Sequence, residues 1–189
     1  MIKFEINQAH LKAIKDKLAK LSANAKPGGE ITLVLRKVIG DYQVTILQGI
    51  GTVEAVSGGG DGAPVAGNLN LTYRGSAQSV TWTKLRESTL DLKYPEISFW
   101  LNTGTTRDAI TDSSTFLKEI SDGKTSTFLA GLTPGTEAYT NAWRTETGGG
   151  GEFAPRPLFS HANELFKQHQ PEIMEKVRKA LMKNVNWGA

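Results

Sequence analysis

Cysteine is absent from this chain. Its absence excludes disulfide bonds, thiolate metal sites and cysteine nucleophiles together, and it fits a protein that is assembled inside the cell. Long apolar runs are also missing. The first residues, MIKFEINQAHLKAIKDK, carry a charge every few positions, so they do not form the apolar core of a signal peptide. No segment approaches the roughly 20 apolar residues of a membrane span. We therefore expect neither secretion nor a membrane partner.

Charge of one sign is not in large excess either. There are 22 Lys and Arg residues against 19 Asp and Glu residues, a net charge of +3, which is too small to indicate nucleic-acid binding by itself. The excess is local, and its lysines are Lys12, Lys15, Lys17, Lys20 and Lys26. This basic segment is either a solvated helix surface or a contact with an acidic neighbouring subunit or with DNA. Lys12 and Lys15 are therefore interface candidates.

Two amphipathic helices are predicted at the start of the chain. Between Asn7, a candidate N-cap, and about Ala25, apolar residues recur at helical spacing, as Leu11, Ile14, Leu18 and Leu21. Pro27-Gly28-Gly29 should end this helix. A second apolar stripe then runs from Ile31 to Ile46. The short connection predicts an antiparallel helical pair.

Glycine is abundant, with 20 residues, and it concentrates in a predicted loop at about 49–68. A loop of this length has a binding or assembly role, or it orders only when a partner arrives. Gly58, Gly59, Gly60 and Asp61 are interface candidates on it. A phosphate-binding loop would need a Lys-Ser/Thr pair at fixed spacing after a strand, which is missing here, so we expect no nucleotide and no other cofactor.

The second half of the chain combines strand and helix patterns. A β-hairpin is predicted within 106–132, with its turn at Ser121–Lys124, followed by a third strand at about 137–145. A final amphipathic helix starts near Ser160, its candidate N-cap, and Pro171 kinks or restarts it. The predicted fold class is α+β, with an N-terminal helical pair, a small antiparallel β-sheet and a C-terminal amphipathic helix, in a single domain over 1–189.

No catalytic or metal-binding set is apparent in the sequence. His161 and His169 are eight residues apart, about 12 Å along a helix, which is not the spacing of a metal motif. The acidic residues around the predicted hairpin are of a kind that more often solvates a turn than catalyses a reaction. We therefore expect a protein that is not an enzyme; an enzyme whose site is scattered along the chain remains a third alternative.

Aromatic residues and one arginine are the remaining site candidates. Trp82, Trp100 and Trp143 fall in the central part of the chain, where packing in the core is favoured over ligand stacking. Trp187, after the last helix, either folds back onto the core or anchors an adjacent subunit. Arg156, between two prolines, has little backbone freedom to lose and can pair with a carboxylate in the body of the protein or across an interface.

A series of short motifs runs through the central and C-terminal parts of the chain. The motifs are Trp82-Thr83-Lys84-Leu85, Ser88-Thr89 with Lys93, Leu101-Asn102-Thr103-Gly104 with Arg107, Ile110 and Thr111, Tyr139 with the Gly-rich run 148–151, and Ala154-Pro155-Arg156-Pro157-Leu158-Phe159. In this order they resemble the virion-morphogenesis, or tail-completion, proteins of Mu-like and related tailed phages. The last motif is similar to the Pro-Ala-Arg-Pro-Phe motif of that family, but its first two residues are exchanged and it differs in the order of its aromatic residue and leucine.

This resemblance implies a structural subunit of the phage neck that completes or terminates the tail and joins it to the head as part of a ring, a hexamer. The implied partners are other copies of the chain and the tail-tube and head-completion or connector proteins, with DNA passing through the ring. The implied location is the virion neck at the head–tail junction, after assembly in the host cytoplasm. Two alternatives stay open: a head-side connector ring protein, and a small basic nucleic-acid-binding module that uses the lysine-rich first helix.

Overall fold

The computed structural model describes residues 8–51, 67–82, 104–122, 125–150 and 155–185. The fold is α+β, as predicted from the sequence. Its elements in chain order are α1 (Gln8–Ala25), α2 (Glu30–Gly51), β1 (Gly67–Tyr73), β2 (Ser76–Trp82), α3 (Thr105–Thr111), α4 (Ser113–Phe116), β3 (Leu117–Ser121), β4 (Ser126–Ala130), α5 (Glu137–Thr147), α6 (Phe159–Gln168) and α7 (Gln170–Leu181).

The described residues form two compact units. The first unit takes residues from 1–38, 119–128 and 171–189, and the second takes residues from 39–118 and 129–170. α2 contributes to both units, because the division falls within this helix. The prediction of one domain over 1–189 stays a prediction.

In the first unit, the break between α1 and α2 lies where the sequence predicts it. Gly28 has a φ of 82°, a left-handed conformation that glycine adopts without strain. At Gly29 a Cβ atom would lie 2.6 Å from the carbonyl oxygen of Asn24. The Asn24 side chain itself donates hydrogen bonds to the carbonyl oxygens of Leu181 at 2.8 Å and Lys183 at 2.9 Å. It therefore satisfies carbonyl groups at the end of α7 that the helix leaves without a partner.

The second unit contains a core built from helices and one hairpin. Its fully buried large side chains are Ile46, Ile50, Leu71, Ile110, Phe116, Leu158 and Leu165. β1 and β2 pair antiparallel, from Gly67 opposite Trp82 to Tyr73 opposite Ser76. Arg74 and Gly75 connect them with positive φ angles of 50° and 82°, as a two-residue turn that matches the strand twist requires. This hairpin is not among the elements predicted from the sequence.

Among the described residues, the predicted single sheet is corrected to two separate two-stranded sheets, β1–β2 and β3–β4. β3 ends at Ser121 and β4 begins at Ser126, on either side of the predicted turn, of which Gly123 and Lys124 lie outside the described residues. The stretch before it, however, is helical in α3 and α4. The Asp112 carboxylate accepts the Ser114 backbone N–H at 3.0 Å, so it caps α4 where the sequence indicated strand.

The predicted strand at 137–145 is wrong, since this segment is helix α5. Tyr139 and Trp143 favour strands by propensity, but their spacing of four residues also places both on one helix face. Ala138 and Ala142 are buried, and burial of their helix face outweighs the weak local preference.

The predicted loop at 49–68 is shorter at both ends, because α2 continues to Gly51 and β1 begins at Gly67; its middle lies outside the described residues. Asn7, proposed as the N-cap of α1, also lies outside them. The C-terminal helical prediction is confirmed as α6 and α7, which are separated at His169, with Pro171 in the first turn of α7. Ser160 is not the N-cap, since α6 begins at Phe159.

Candidate functional site

Helix α5 presents two aromatic side chains at the surface of the second unit. The helix begins after Thr136, whose hydroxyl oxygen accepts the Tyr139 backbone N–H at 3.2 Å, and it ends at Gly148 in the left-handed conformation. Tyr139 is 38% exposed and Trp143 is 50% exposed. Residues four apart on a helix are neighbours on its surface, so these two rings form one aromatic patch.

The aromatic patch borders a cleft of about 280 Å³ within the second unit. From α5 the cleft is lined by Tyr139, Ala142, Trp143 and Glu146, and from other segments by Gly131, Leu132 and Phe159. Its volume lies just below the roughly 300–1,000 Å³ of typical small-molecule pockets. We call this feature the aromatic cleft. Its lining side chains are apolar except for Glu146, the Tyr139 hydroxyl and the Trp143 indole N–H, so it suits a few apolar side chains better than a polar metabolite.

Glu146 fixes one wall of the aromatic cleft by capping another helix. Its carboxylate accepts the backbone N–H groups of Leu158 at 2.7 Å, Phe159 at 3.1 Å and Ser160 at 2.8 Å, and the Ser160 hydroxyl at 2.5 Å. A negative charge at a helix N-terminus is favourable because the exposed N–H groups and the helix dipole both attract it. Phe159 is thereby held against α5 as part of the cleft.

Tyr42 lies near this carboxylate and is half-buried against the core of the second unit. Its hydroxyl donates to the Asn163 side chain at 2.9 Å, and its ring packs edge-on against Phe166 with centroids 5.1 Å apart. Burial raises the pKa of the Tyr42 phenol well above its ordinary value, and the charge of Glu146 raises it further. Tyr42 therefore stays neutral to a higher pH than an ordinary tyrosine.

Arg156, predicted as an interface candidate, is 8% exposed and belongs to the second unit. Its backbone N–H donates to the Thr145 carbonyl oxygen at 2.8 Å, which ties the proline-bounded segment to the end of α5. Burial lowers the pKa of its guanidinium. The sequence left open whether Arg156 makes its contact within the body of the protein or across an interface. The burial of Arg156 favours a contact within the body.

Lys12 and Lys15 are exposed on α1 in the first unit. Ile14 is 50% exposed and Leu18 is 54% exposed on the same helix, while Leu11 and Leu21 are half-buried. At about 100° per residue, Lys15 borders this apolar stripe and Lys12 lies on the opposite side of the helix. The apolar face of α1 is thus a second exposed apolar surface.

The other predicted site residues, Gly58, Gly59, Gly60, Asp61 and Trp187, lie outside the described residues. Trp143 is exposed, although the sequence favours its packing in the core, and Glu146 stands in the sequence as an ordinary surface acid. Two features of the sequence indicate the helix that carries the aromatic cleft. Tyr139 and Trp143 are four residues apart, and Thr136 and Gly148 stand at the N-cap and C-cap positions of their segment.

His161 in α6 and His169 at the C-terminal end of α6 both make polar contacts within the second unit. The Gln78 amide nitrogen lies 2.8 Å from His161 Nδ1, and His169 Nε2 lies 2.9 Å from the Ser76 hydroxyl. Both contacts join β2 to the α6 region. Within the ranges that the structure describes, no group of three His, Asp or Glu side chains is placed to hold a metal ion. In those ranges no helix is both long and apolar enough to cross a membrane.

Comparisons with models of protein families, with curated proteins and with solved structures found no match to this chain. In the part of the chain that the structure describes, the geometry defines an α+β protein whose exposed apolar side chains include those at the aromatic cleft and on the apolar face of α1.

Proposed function

We propose that this chain is a structural, non-enzymatic subunit of a tailed-phage neck, which completes the tail and joins it to the head as part of a ring of identical subunits. The ordered motifs that end in Ala154-Pro155-Arg156-Pro157-Leu158-Phe159 point to that family. The structural observation that carries the proposal is the presence of two different exposed apolar surfaces on one chain.

Exposed apolar patches of this kind mark association sites, because burying them removes apolar area from water. Tryptophan and tyrosine are also the residues most enriched among interface hot spots. When the two contacting surfaces of a subunit differ, its copies join head to tail, and such contacts close into a ring if the rotation permits. The proposed partners are therefore further copies of the chain and, along the axis of the virion, tail-tube and head-completion proteins, with DNA passing through the ring.

Native mass spectrometry of the purified chain tests ring formation, and cryo-electron microscopy of virions tests location. We expect one closed oligomer, a hexamer, and density for the chain between head and tail. A chain that is monomeric at high concentration and absent from the neck would sink the proposal. A twelve-fold ring on the head side would instead identify a connector.

A second function is favoured by one observation, the exposure of Lys12 and Lys15 on α1. A basic helix face can bind nucleic-acid phosphates, and that affinity falls steeply between roughly 50 and 200 mM salt because bound counterions are released. Fluorescence titration of duplex DNA across that salt range tests it. Loss of binding after replacing Lys12, Lys15, Lys17 and Lys20 by glutamine would support this function, and titrations without binding would end it.

A further inference from the structure

The β1–β2 hairpin packs on helix α6, and a histidine of α6 contacts a side chain of β2. We propose that Gln78, His161 and Glu164 form a pH-sensitive switch, which holds β2 on α6 while His161 is neutral and releases Gln78 when His161 is protonated. The switch goes beyond the proposed neck function and does not depend on it.

The geometry of the three side chains requires a neutral histidine. Gln78 Nε2 lies 2.8 Å from His161 Nδ1 and 3.4 Å from Glu164 Oε2. An ionised carboxylate only accepts hydrogen bonds, so Glu164 selects the amide nitrogen of Gln78 at this place and not the amide oxygen. That nitrogen donates, and His161 Nδ1 must therefore accept. An imidazole accepts at Nδ1 only when it is neutral and carries its proton on Nε2.

Protonation of His161 exchanges the partners. The charged ring has an N–H at Nδ1, which would face the N–H of the Gln78 amide, donor against donor. Glu164 Oε2 lies 3.8 Å from the same Nδ1, and residues three apart on a helix are neighbours on its surface. The charged ring therefore pairs with Glu164. Gln78 Oε1 is buried without a hydrogen-bond partner among the described residues, so losing the contacts of Nε2 releases the whole side chain.

Solvent protons can reach this switch, because 23% of the His161 side chain and 61% of the Glu164 side chain are exposed. Histidine is the side chain whose charge ordinarily changes between about pH 5 and 8. Among the described residues, the hydrogen bonds and ion pairs of His161 are those with Gln78 and Glu164.

The other titratable groups on the elements around His161 have partners of their own. They are Glu146 of α5, which accepts from the start of α6, Tyr73 of β1, which stacks on Phe166, and Tyr42 of α2, which donates to Asn163. Glu164 is therefore the charged group that faces the ring.

The second histidine contact of β2 is insensitive to protonation. His169 Nε2 lies 2.9 Å from the Ser76 hydroxyl, and a hydroxyl both donates and accepts, so the contact suits a neutral or a charged ring. Leu71 and Tyr73 of β1 are buried in the core. Protonation of His161 should therefore loosen β2 at Gln78 and leave β1 in place.

Hydrogen exchange of the full chain, followed by mass spectrometry and expressed as protection factors, tests the switch. Between about pH 7.5 and about pH 5, we expect the protection of β2 to fall about 2–10-fold, as the loss of one hydrogen bond predicts. The protection of α5 should stay unchanged and serves as the internal reference.

Two variants separate the switch from a merely structural contact. His161→Gln keeps an acceptor oxygen for Gln78 but carries no charge, so its β2 protection should not depend on pH. Gln78→Glu should invert the response, because a carboxylate is attracted to the charged ring, and β2 should then be better protected at the lower pH. A merely structural contact would give lower protection at both pH values. His10→Gln, at an exposed histidine of α1, is the matched control and should keep the wild-type response.

Equal protection of β2 at both pH values in the wild-type protein would overturn this inference. A folded His161→Gln variant that keeps the pH response, or a Gln78→Glu variant with a response of the wild-type sign, would overturn it as well. Circular dichroism checks folding. Glu164→Gln, at an exposed residue, provides a further variant: it lacks the carboxylate that takes up the charged ring, so the fall in protection should be smaller, and an unchanged fall would contradict the switch.

Discussion

Glu146 and Leu158 are joined by a 2.7 Å hydrogen bond, in which the carboxylate of one helix accepts the backbone N–H at the start of the next. The same carboxylate accepts the following two N–H groups, of Phe159 and Ser160. A helix normally takes its N-cap from its own flanking residue. Here the cap of α6 comes from α5, so the cap also fixes the wall of the aromatic cleft.

Replacing Glu146 by alanine should destabilise the protein by about 2–3 kcal/mol, because several charge-assisted hydrogen bonds to the start of α6 are lost. Urea denaturation measures the change as a lower midpoint. Glu137→Ala is the matched control, since Glu137 is exposed in the first turn of the same helix and its removal should cost only about 0.3–1 kcal/mol. Equal effects of the two substitutions would show that the cap adds no stability.

Replacing Gly29 and Gly40 by alanine should have opposite effects on the stability of the fold. Gly29→Ala places a Cβ atom 2.6 Å from the Asn24 carbonyl oxygen, and the required backbone shift should cost about 1–3 kcal/mol. Gly40 lies inside α2, where an added Cβ atom would meet nothing within 4 Å, so Gly40→Ala should stabilise by about 0.5–1 kcal/mol. Thermal unfolding followed by circular dichroism measures both changes. A Gly29→Ala variant as stable as the wild type would contradict the predicted clash.

Alkaline pH should destabilise the fold through Tyr42. The unfolded chain ionises its tyrosines near pH ~10, whereas burial keeps the Tyr42 phenol neutral in the folded state by raising its pKa. The stability that this shift contributes is therefore fully present below pH ~10 and is lost as the pH rises above it. Denaturation midpoints measured from about pH 8 to about pH 11, a range that spans the ordinary tyrosine pKa, should fall less for Tyr42→Phe than for the wild type. Parallel curves for the two proteins would contradict the prediction.

The local features of this fold could be predicted from the sequence. The helical spacing of Leu11, Ile14, Leu18 and Leu21 indicates α1, and Pro27-Gly28-Gly29 ends it, because helix periodicity and chain breaks depend on neighbouring residues. The strand ends at Ser121 and Ser126, which flank the predicted turn, are of the same kind. The α+β class followed from these elements together.

The strand predicted at 137–145 failed because tyrosine, tryptophan and threonine have weak strand preferences that tertiary packing overrides. Burial of Ala138 and Ala142 decides that this segment is helix α5 and leaves Tyr139 and Trp143 exposed. The β1–β2 hairpin was missed although Leu69, Leu71 and Tyr73 alternate with polar residues, because the glycine and asparagine residues around them favour loops. Its register depends on the turn at Arg74 and Gly75.

The amphipathic patterns of α1 and α2, the break between these helices and the positions of the charges follow from the amino-acid sequence, since they depend on residues close together in the chain. The folded chain was needed to show that Glu146 caps a helix starting at Phe159, that Arg156 is buried, and that two aromatic side chains border a cleft. These relationships join residues far apart along the chain, and their free energy comes from burial and hydrogen bonding that arise only when the segments meet.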